Sequence, residues 1–197
     1  MTQVSRRDFL ALGAAGMAGL LAGCRLPAVD QIGTATELNT LEVKWKYKTL
    51  NGLRTKLRSY NDEVPGPLLT AVPGEALRVR IVNSLTPYDS SAWTGNHNIP
   101  HALNTTNLHV HGLDVLPHLF EPLGTSDPGA PMIRIQPGES YDYLFELPED
   151  HPPGLYWYHP HKHGSTAVQA VSGMAGPLIV KGDIDEVPEI KAARDIL

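Results

Sequence analysis

Residues 41–48, with the sequence LEVKWKYK, alternate strictly between apolar and charged side chains. Successive side chains of a β-strand point to opposite faces of its sheet, so this alternation predicts a half-buried strand. Residues 76–82 alternate in the same way, and Pro-Gly pairs at 73–74 and 137–138 mark turns between such segments. Only residues 166–174 favour a helix. The pattern therefore predicts an all-β fold, an antiparallel sandwich or barrel.

The rest of the central chain fits the same architecture. Six further segments are predicted to be strands: residues 53–60, 107–111, 133–135, 141–147, 154–158 and 177–181. Residues 85–106 are rich in Ser, Thr, Asn, Pro and Gly, and we interpret them as a long loop. We expect a single domain at residues 41–182, since a chain of 197 residues suffices for one domain of ordinary size.

Composition excludes some classes of function and favours another. The formal net charge of −5, from 16 basic and 21 acidic residues, argues against a nucleic-acid partner, because phosphate binding needs a dense basic surface. The single cysteine, Cys24, permits neither an internal disulfide nor a cysteine-rich zinc site. All nine histidines lie between His97 and His163. Such clustering points to metal binding.

The first 23 residues are predicted to be an export signal and not part of the fold. Residues 5–10, SRRDFL, carry two arginines in front of an apolar run at 9–22 that is too short to span a bilayer. Paired arginines in this position resemble a twin-arginine export signal. Residues 21–24, LAGC, resemble a bacterial lipoprotein cleavage site, after which Cys24 carries the lipid. An ordinary secretory signal with an incidental cysteine is the alternative.

These signals set the expected location and the outer boundaries of the domain. We expect export by the twin-arginine route to the periplasm or cell envelope, with a lipid on Cys24 anchoring the protein to a membrane. Residues 24–40 are mostly small and polar and are predicted to be a tether. Residues 183–197 are charged and contain proline, and we interpret them as a linker toward a downstream domain that is missing from this chain.

Two His-x-His pairs carry the chemistry, His109 with His111 and His159 with His161. Residues i and i+2 of a strand point to the same face, so each pair presents two imidazoles on one side. Imidazole is a good ligand for copper, zinc and iron. One such pair is a weak signal, whereas two pairs on separate predicted strands strongly indicate a metal site.

The segments around these pairs resemble a known family. Residues 107–113, NLHVHGL, and 154–161, GLYWYHPH, resemble the two copper-binding motifs in the N-terminal domain of multicopper oxidases, which include laccases and bacterial cuprous oxidases. Residues 64–67, 73–83 and 174–180 also match the family pattern. The resemblance extends over roughly residues 40–182 and implies a Greek-key cupredoxin (plastocyanin-like) β-sandwich, in agreement with the strand pattern.

The resemblance also implies a role for each histidine of the two pairs. His109 would bind the type 2 copper, and His111, His159 and His161 would bind the type 3 pair. In the family this trinuclear cluster reduces O2 to water with electrons relayed from a separate type 1 copper. The family also places an acidic residue after the first motif to assist proton delivery, and Asp127 is the nearest match.

The remaining candidates receive supporting or neutral roles. His163 continues the series of alternate histidines, and we expect it to support the ligands without binding metal. Trp157 is expected to pack in the core or to brace the ligands. The remaining histidines lie in predicted loops and are expected to be solvated: His97, His101, His118 and His151. A secondary copper site within residues 85–106 is the alternative for that loop.

What the sequence lacks limits the predicted activity. A type 1 copper site needs a thiolate, and Cys24 lies far from the histidine pairs, inside the predicted signal. The family's later His-Cys-His motif is absent. We therefore expect half of a trinuclear site, the first domain of a longer oxidase. Oxidase activity then requires a C-terminal cupredoxin domain in the same or an adjacent polypeptide.

Two other functions remain open at this point. The chain is alternatively a stand-alone copper-binding or copper-carrying lipoprotein without oxidase activity. A structural cupredoxin remnant with empty sites is the weakest alternative, because all four ligand positions are intact. The reducing substrate is not indicated by the sequence, since the family binds it near the type 1 copper.

Overall fold

In the computed structural model, which describes residues 37–193, the strands form two four-stranded sheets. The first sheet has the order β2-β1-β4-β6. Its strands are β1 (Leu38–Leu50), β2 (Leu53–Tyr60), β4 (Ala76–Asn83) and β6 (Ser140–Glu146). The second has the order β3-β8-β7-β5. Its strands are β3 (Leu69–Ala71), β5 (His109–His111), β7 (Gly154–His159) and β8 (Gly176–Val180). The predicted all-β fold is confirmed.

Helical structure is confined to short segments in the described range. Helix α1 (Thr166–Val171) follows β7, where the sequence predicted a helix. A 3₁₀ turn (Asp183–Glu186) and helix α2 (Pro188–Lys191) follow β8, within the predicted linker. Between residues 37 and 193, no helix has the length and apolar character that crossing a membrane requires.

The core lies between the two sheets, and strand alternation fills it. Leu77, Val79 and Ile81 of β4 are buried, while the charged residues between them are exposed. The same apolar cluster includes Val110 of β5 and Tyr158 of β7, so both sheets contribute to it. Residues that alternate with Val110 and Tyr158 consequently lie on the outer face of the second sheet.

The structure differs from the sequence prediction in strand pairing. Most neighbours are antiparallel as expected, but β1 pairs with β4 and β3 pairs with β8 in parallel. Strand β3 was not predicted. Residues 133–135 alternate in burial as a strand would, but their backbone forms only an isolated bridge between Thr106 and Ile135. Alternation reports burial and does not by itself show whether a partner strand is present.

The domain boundaries shift slightly at the first strand. Strand β1 begins at Leu38, so the last three residues of the predicted tether 24–40 belong to the first sheet. They pair with β4 from Arg78 onward, which supplies the backbone hydrogen bonds. The predicted signal, Cys24 and the first part of the tether lie outside the described residues, as does the end of the predicted linker after residue 193.

Candidate metal centre

The pairing of β5 with β7 brings the two histidine motifs together. His109 lies directly opposite His159, and His111 lies opposite Trp157. Directly opposed residues of antiparallel strands share one face, so all four side chains project outward from the second sheet. Val110 and Tyr158 form the intervening pair and are buried in the core. The strand alternation thus separates the ligand candidates from the packing residues.

Three of these imidazoles converge closely. One ring nitrogen from each of His109, His111 and His159 lies within 4.8 Å of the others. The ring centre of His109 is 5.6 Å from that of His111, 5.1 Å from that of His159 and 5.2 Å from that of His161. His161, which lies two positions beyond the end of β7, therefore joins the group around His109, and all four predicted ligands are neighbours.

Backbone contacts orient the second motif. The Nδ1–H of His159 donates to the carbonyl oxygen of Pro160 at 2.9 Å, since a carbonyl can only accept. This leaves the Nε2 lone pair of His159 directed into the cluster, 3.4 Å from Nδ1 of His111. The Nδ1 of His161 is buried and has no hydrogen-bond partner among residues 37–193. A buried nitrogen without a partner is a candidate metal ligand.

Asn107 fixes the position of His161 and was not singled out from the sequence. Its side-chain oxygen accepts a hydrogen bond from the backbone N–H of His161 at 2.7 Å, and its amide nitrogen donates to Ile133 at 3.4 Å. Asn107 is fully buried. Its place two residues before His109, at the start of the first motif, is the signal that could have drawn attention to it.

Trp157 braces two ligand candidates from the outer face. Its ring stacks on His159 at 4.2 Å and on His111 at 4.8 Å between ring centres. The side chain is 42% exposed, so it supports the imidazoles and does not fill the core. His163 is exposed, and its ring lies 5.8 Å from that of His161. Both residues therefore lie beside the histidine group.

Two histidines that were expected to be solvated are buried. The loop after β5 folds back, so that Nε2 of His118 lies 3.0 Å from Nδ1 of His109. His151 is buried near the start of β7, and its Nε2 accepts the backbone N–H of Asp114 at 3.0 Å. The prediction was wrong for both, because their position in loops does not reveal the backbone groups that they satisfy. His97 is exposed, as predicted.

Burial keeps several of these imidazoles uncharged. The pKa of His109 is lowered from 6.5 to about 3. Desolvation is the main cause, and electrostatic repulsion from nearby imidazoles adds to it, those of His118, His159, His161 and His111. Desolvation also lowers the pKa of His118 and of His159. At neutral pH these rings therefore keep a free nitrogen lone pair, which metal coordination requires.

Asp127 lies elsewhere in the loop that follows β5. It occupies an exposed turn, where its carboxylate accepts a hydrogen bond from the backbone N–H of Gly129 at 2.8 Å. Within residues 37–193, none of its hydrogen bonds reaches a histidine. The structure thus gathers the four predicted ligands but does not bring Asp127 into contact with them.

Comparison with known proteins identifies the family that this domain resembles. The family model for multicopper oxidases matches residues 97–184, the range that contains all four clustered histidines. Residues 97–184 therefore carry a domain of the multicopper oxidase family. Laccase-4 of Thanatephorus cucumeris is 28% identical over 79% of this chain, and copper resistance protein A of Pseudomonas syringae pv. tomato is 28% identical over 91%. The chain spans about a quarter of the length of each, 26% in both cases.

Solved structures agree on the fold. A metallo-oxidase from Campylobacter jejuni matches with a TM-score of 0.55 and 28% identity, over 77% of this chain and 27% of that one. A multicopper oxidase from Pseudomonas thermotolerans matches with a TM-score of 0.52, 28% identity and coverage of 75% and 30%. The predicted cupredoxin sandwich is therefore confirmed.

Homology to multicopper oxidases implies copper, and the donor set fits this metal. Neutral imidazoles are suitable copper ligands, although the same donors also suit zinc. Three ring nitrogens within 4.8 Å of one another, together with the unpartnered Nδ1 of His161, provide nitrogen donors for a metal ion. The histidine cluster of this domain is thus chemically able to hold copper.

Proposed function

We propose that this domain supplies half of the ligands of a trinuclear type 2/type 3 copper cluster. The observation that carries the proposal is the register of β5 and β7, which places two His-x-His motifs on one outer face. By the family resemblance, His109 binds the type 2 copper, and His111, His159 and His161 bind the type 3 pair. Copper in such a cluster supplies the electron transfers that reduce O2 to water.

The exposed side of the cluster supports a protein partner. His111 is exposed, and the adjoining outer face of β7 and β8 carries an apolar cavity of about 400 Å³ beside Trp157. Leu155 in its lining is 71% exposed and the adjoining Trp157 is 42% exposed, so the lining forms an exposed apolar patch. We propose that a C-terminal cupredoxin domain, in the same or an adjacent polypeptide, covers this face and contributes the remaining ligands.

Export remains part of the proposal. The twin-arginine motif and the cleavage site before Cys24 support transport to the periplasm or cell envelope and anchoring by a lipid. The proposed protein is therefore a membrane-anchored copper-binding domain that faces away from the cytoplasm.

Copper titration of the full chain tests the ligand assignment. A His109→Gln/His111→Gln double variant should lose most high-affinity copper binding, measured by competition with a chromophoric chelator. His97→Gln is the matched control, because this exposed histidine lies in the loop outside the cluster. Wild-type affinity in the double variant would contradict the assignment.

Oxygen uptake tests the half-site. The copper-loaded chain alone should show no sustained four-electron reduction of O2 with a phenol or cuprous ion as the reductant. Addition of the polypeptide encoded immediately downstream, if it carries a His-Cys-His motif, should produce activity. Robust turnover by the chain alone would contradict the half-site. Copper binding without any gain from the partner would favour a copper-carrying lipoprotein.

A further inference from the structure

His118 makes three polar contacts that together define its protonation. Its Nε2 lies 3.2 Å from the backbone nitrogen of Val110 and 3.0 Å from Nδ1 of His109. Its Nδ1 lies 3.2 Å from the carbonyl oxygen of Leu116. The ring is buried, with Phe145 packed edge-on against it at 5.1 Å between ring centres. These neighbours leave little freedom for the ring to turn over.

Two of these contacts assign the hydrogen on His118. The carbonyl oxygen of Leu116 can only accept a hydrogen bond, so Nδ1 of His118 carries the hydrogen. The backbone N–H of Val110 can only donate, so Nε2 of His118 carries the lone pair. The two assignments are independent, and both describe the same neutral tautomer. Burial lowers the pKa of His118, which also favours a neutral ring.

The third contact then assigns the hydrogen on His109. Nε2 of His118 is an acceptor, so Nδ1 of His109 must donate to it. A neutral imidazole carries one N–H, so Nε2 of His109 is left with the free lone pair. The nearly parallel rings, inclined at 14°, are compatible with this N–H···N bond.

We propose that His118 is a positioning residue, which holds His109 in its Nδ1–H tautomer and presents Nε2 of His109 to the metal. The metal side of this inference rests on the proposed function, whereas the tautomer is a property of the metal-free chain. Partners of this kind set the orientation and basicity of metal-bound histidines, and their loss commonly reduces metal affinity 10- to 100-fold. Because the His118 ring is neutral, it orients His109 without adding charge to the cluster.

The chain offers a matched control in His151. It is also buried, its Nε2 also accepts a backbone N–H, and its Nδ1 also donates to a carbonyl, that of Pro152 at 2.9 Å. Unlike His118, it has no hydrogen bond to a histidine among residues 37–193. His151→Leu therefore measures the cost of losing a buried structural histidine, without disturbing the proposed contact.

Nitrogen NMR of the metal-free full chain tests the tautomer directly. Long-range ¹H–¹⁵N spectra should show wild-type His109 protonated at Nδ1, and His118→Leu should shift His109 toward a mixture of tautomers. His118→Gln, whose amide oxygen can accept at the position of Nε2, should restore the wild-type pattern. Protonation of wild-type His109 at Nε2 would overturn the proposal, and this measurement does not depend on the folding of any variant.

Copper affinity provides the second readout. His118→Leu should weaken copper binding about 10- to 100-fold, His118→Gln should recover most of it, and His151→Leu should change it little. Equal losses in His118→Leu and His151→Leu would overturn a positioning role. If the wild type and His109→Gln/His111→Gln bind copper equally, the proposed function fails, while the NMR result still decides the tautomer.

Discussion

The side-chain oxygen of Asn107 accepts a hydrogen bond from the backbone N–H of His161 at 2.7 Å. This bond joins the two histidine motifs, which are about fifty residues apart in sequence. Both ends of the Asn107 amide are used, since its nitrogen donates to the carbonyl of Ile133. The position of His161 beyond the end of β7 therefore depends on a buried side chain and not on strand pairing.

Replacement of Asn107 by alanine should destabilise the protein and weaken its metal site. The change leaves the His161 N–H and the Ile133 carbonyl without their partner, at a cost of about 1–3 kcal/mol. Urea denaturation should show this loss, and copper affinity should fall with it. Asn98→Ala, at an exposed position, should change neither. Unaltered stability in Asn107→Ala would show that the bond does not hold His161.

Replacement of Trp157 by alanine should weaken copper binding more than it weakens the fold. Its ring stacks on His111 and His159, and an aromatic contact of this kind contributes about 0.5–1.5 kcal/mol. Copper affinity should therefore fall about 2- to 10-fold. Trp93→Ala is the control, because Trp93 is 37% exposed and stacks on His101, which is not one of the four clustered histidines. An equal effect of both substitutions would argue against the bracing role.

The metal-free protein should lose stability as the pH falls from about 7 to about 5. The pKa of His109 is lowered from 6.5 to about 3, mainly by burial, so the folded state resists a proton that the unfolded chain accepts below pH 6.5. The unfolded state then binds more protons, and the free energy of unfolding falls as the pH falls. Carboxylates with ordinary pKa values near 4 remain largely ionised in this range.

Urea denaturation in the presence of a chelator measures this dependence. His109→Gln should lose less stability than the wild type between the two pH values, because it lacks one of the groups whose pKa is lowered. His97→Gln should retain the wild-type pH dependence. Equal stability of the wild-type protein at both pH values would contradict the prediction.

Two variants near the start of the chain should separate export from anchoring. Replacement of Arg6 and Arg7 by lysine should block export, because the twin-arginine pathway recognises the arginine pair. Cys24→Ser should leave the protein exported but release it from the membrane fraction, because no thiol remains to carry the lipid. Cell fractionation measures both effects. Membrane association that persists in Cys24→Ser would contradict the lipid anchor.

The sequence predicted the fold well, because apolar residues alternate with charged ones wherever one face of a strand packs in the core and the other faces solvent. The pattern of residues 76–82 became the buried and exposed faces of β4. Whether two paired strands run parallel or antiparallel could not be predicted in this way, because side chains alternate with a period of two in both arrangements. The parallel pairing of β1 with β4 therefore needed the structure.

The candidate site was predictable to the extent that it follows strand geometry. His109, His111 and His159 share a face because their spacing in β5 and β7 requires it. His118 was misjudged, because its role depends on a loop that returns to β5, and no local pattern records that return. Burial of its ring is the result of this tertiary contact.

The alternation of histidines with Val110 in β5 links folding to assembly of the metal centre. A shift of β5 by one residue against β7 would turn Val110 toward water and direct His109 and His111 into the apolar core. Burying those imidazoles without partners is costly, so the shifted arrangement is disfavoured by the same core packing that stabilises the sandwich. Chains that reach the stable fold consequently carry their histidines on the correct side, and folding itself selects against a misassembled centre.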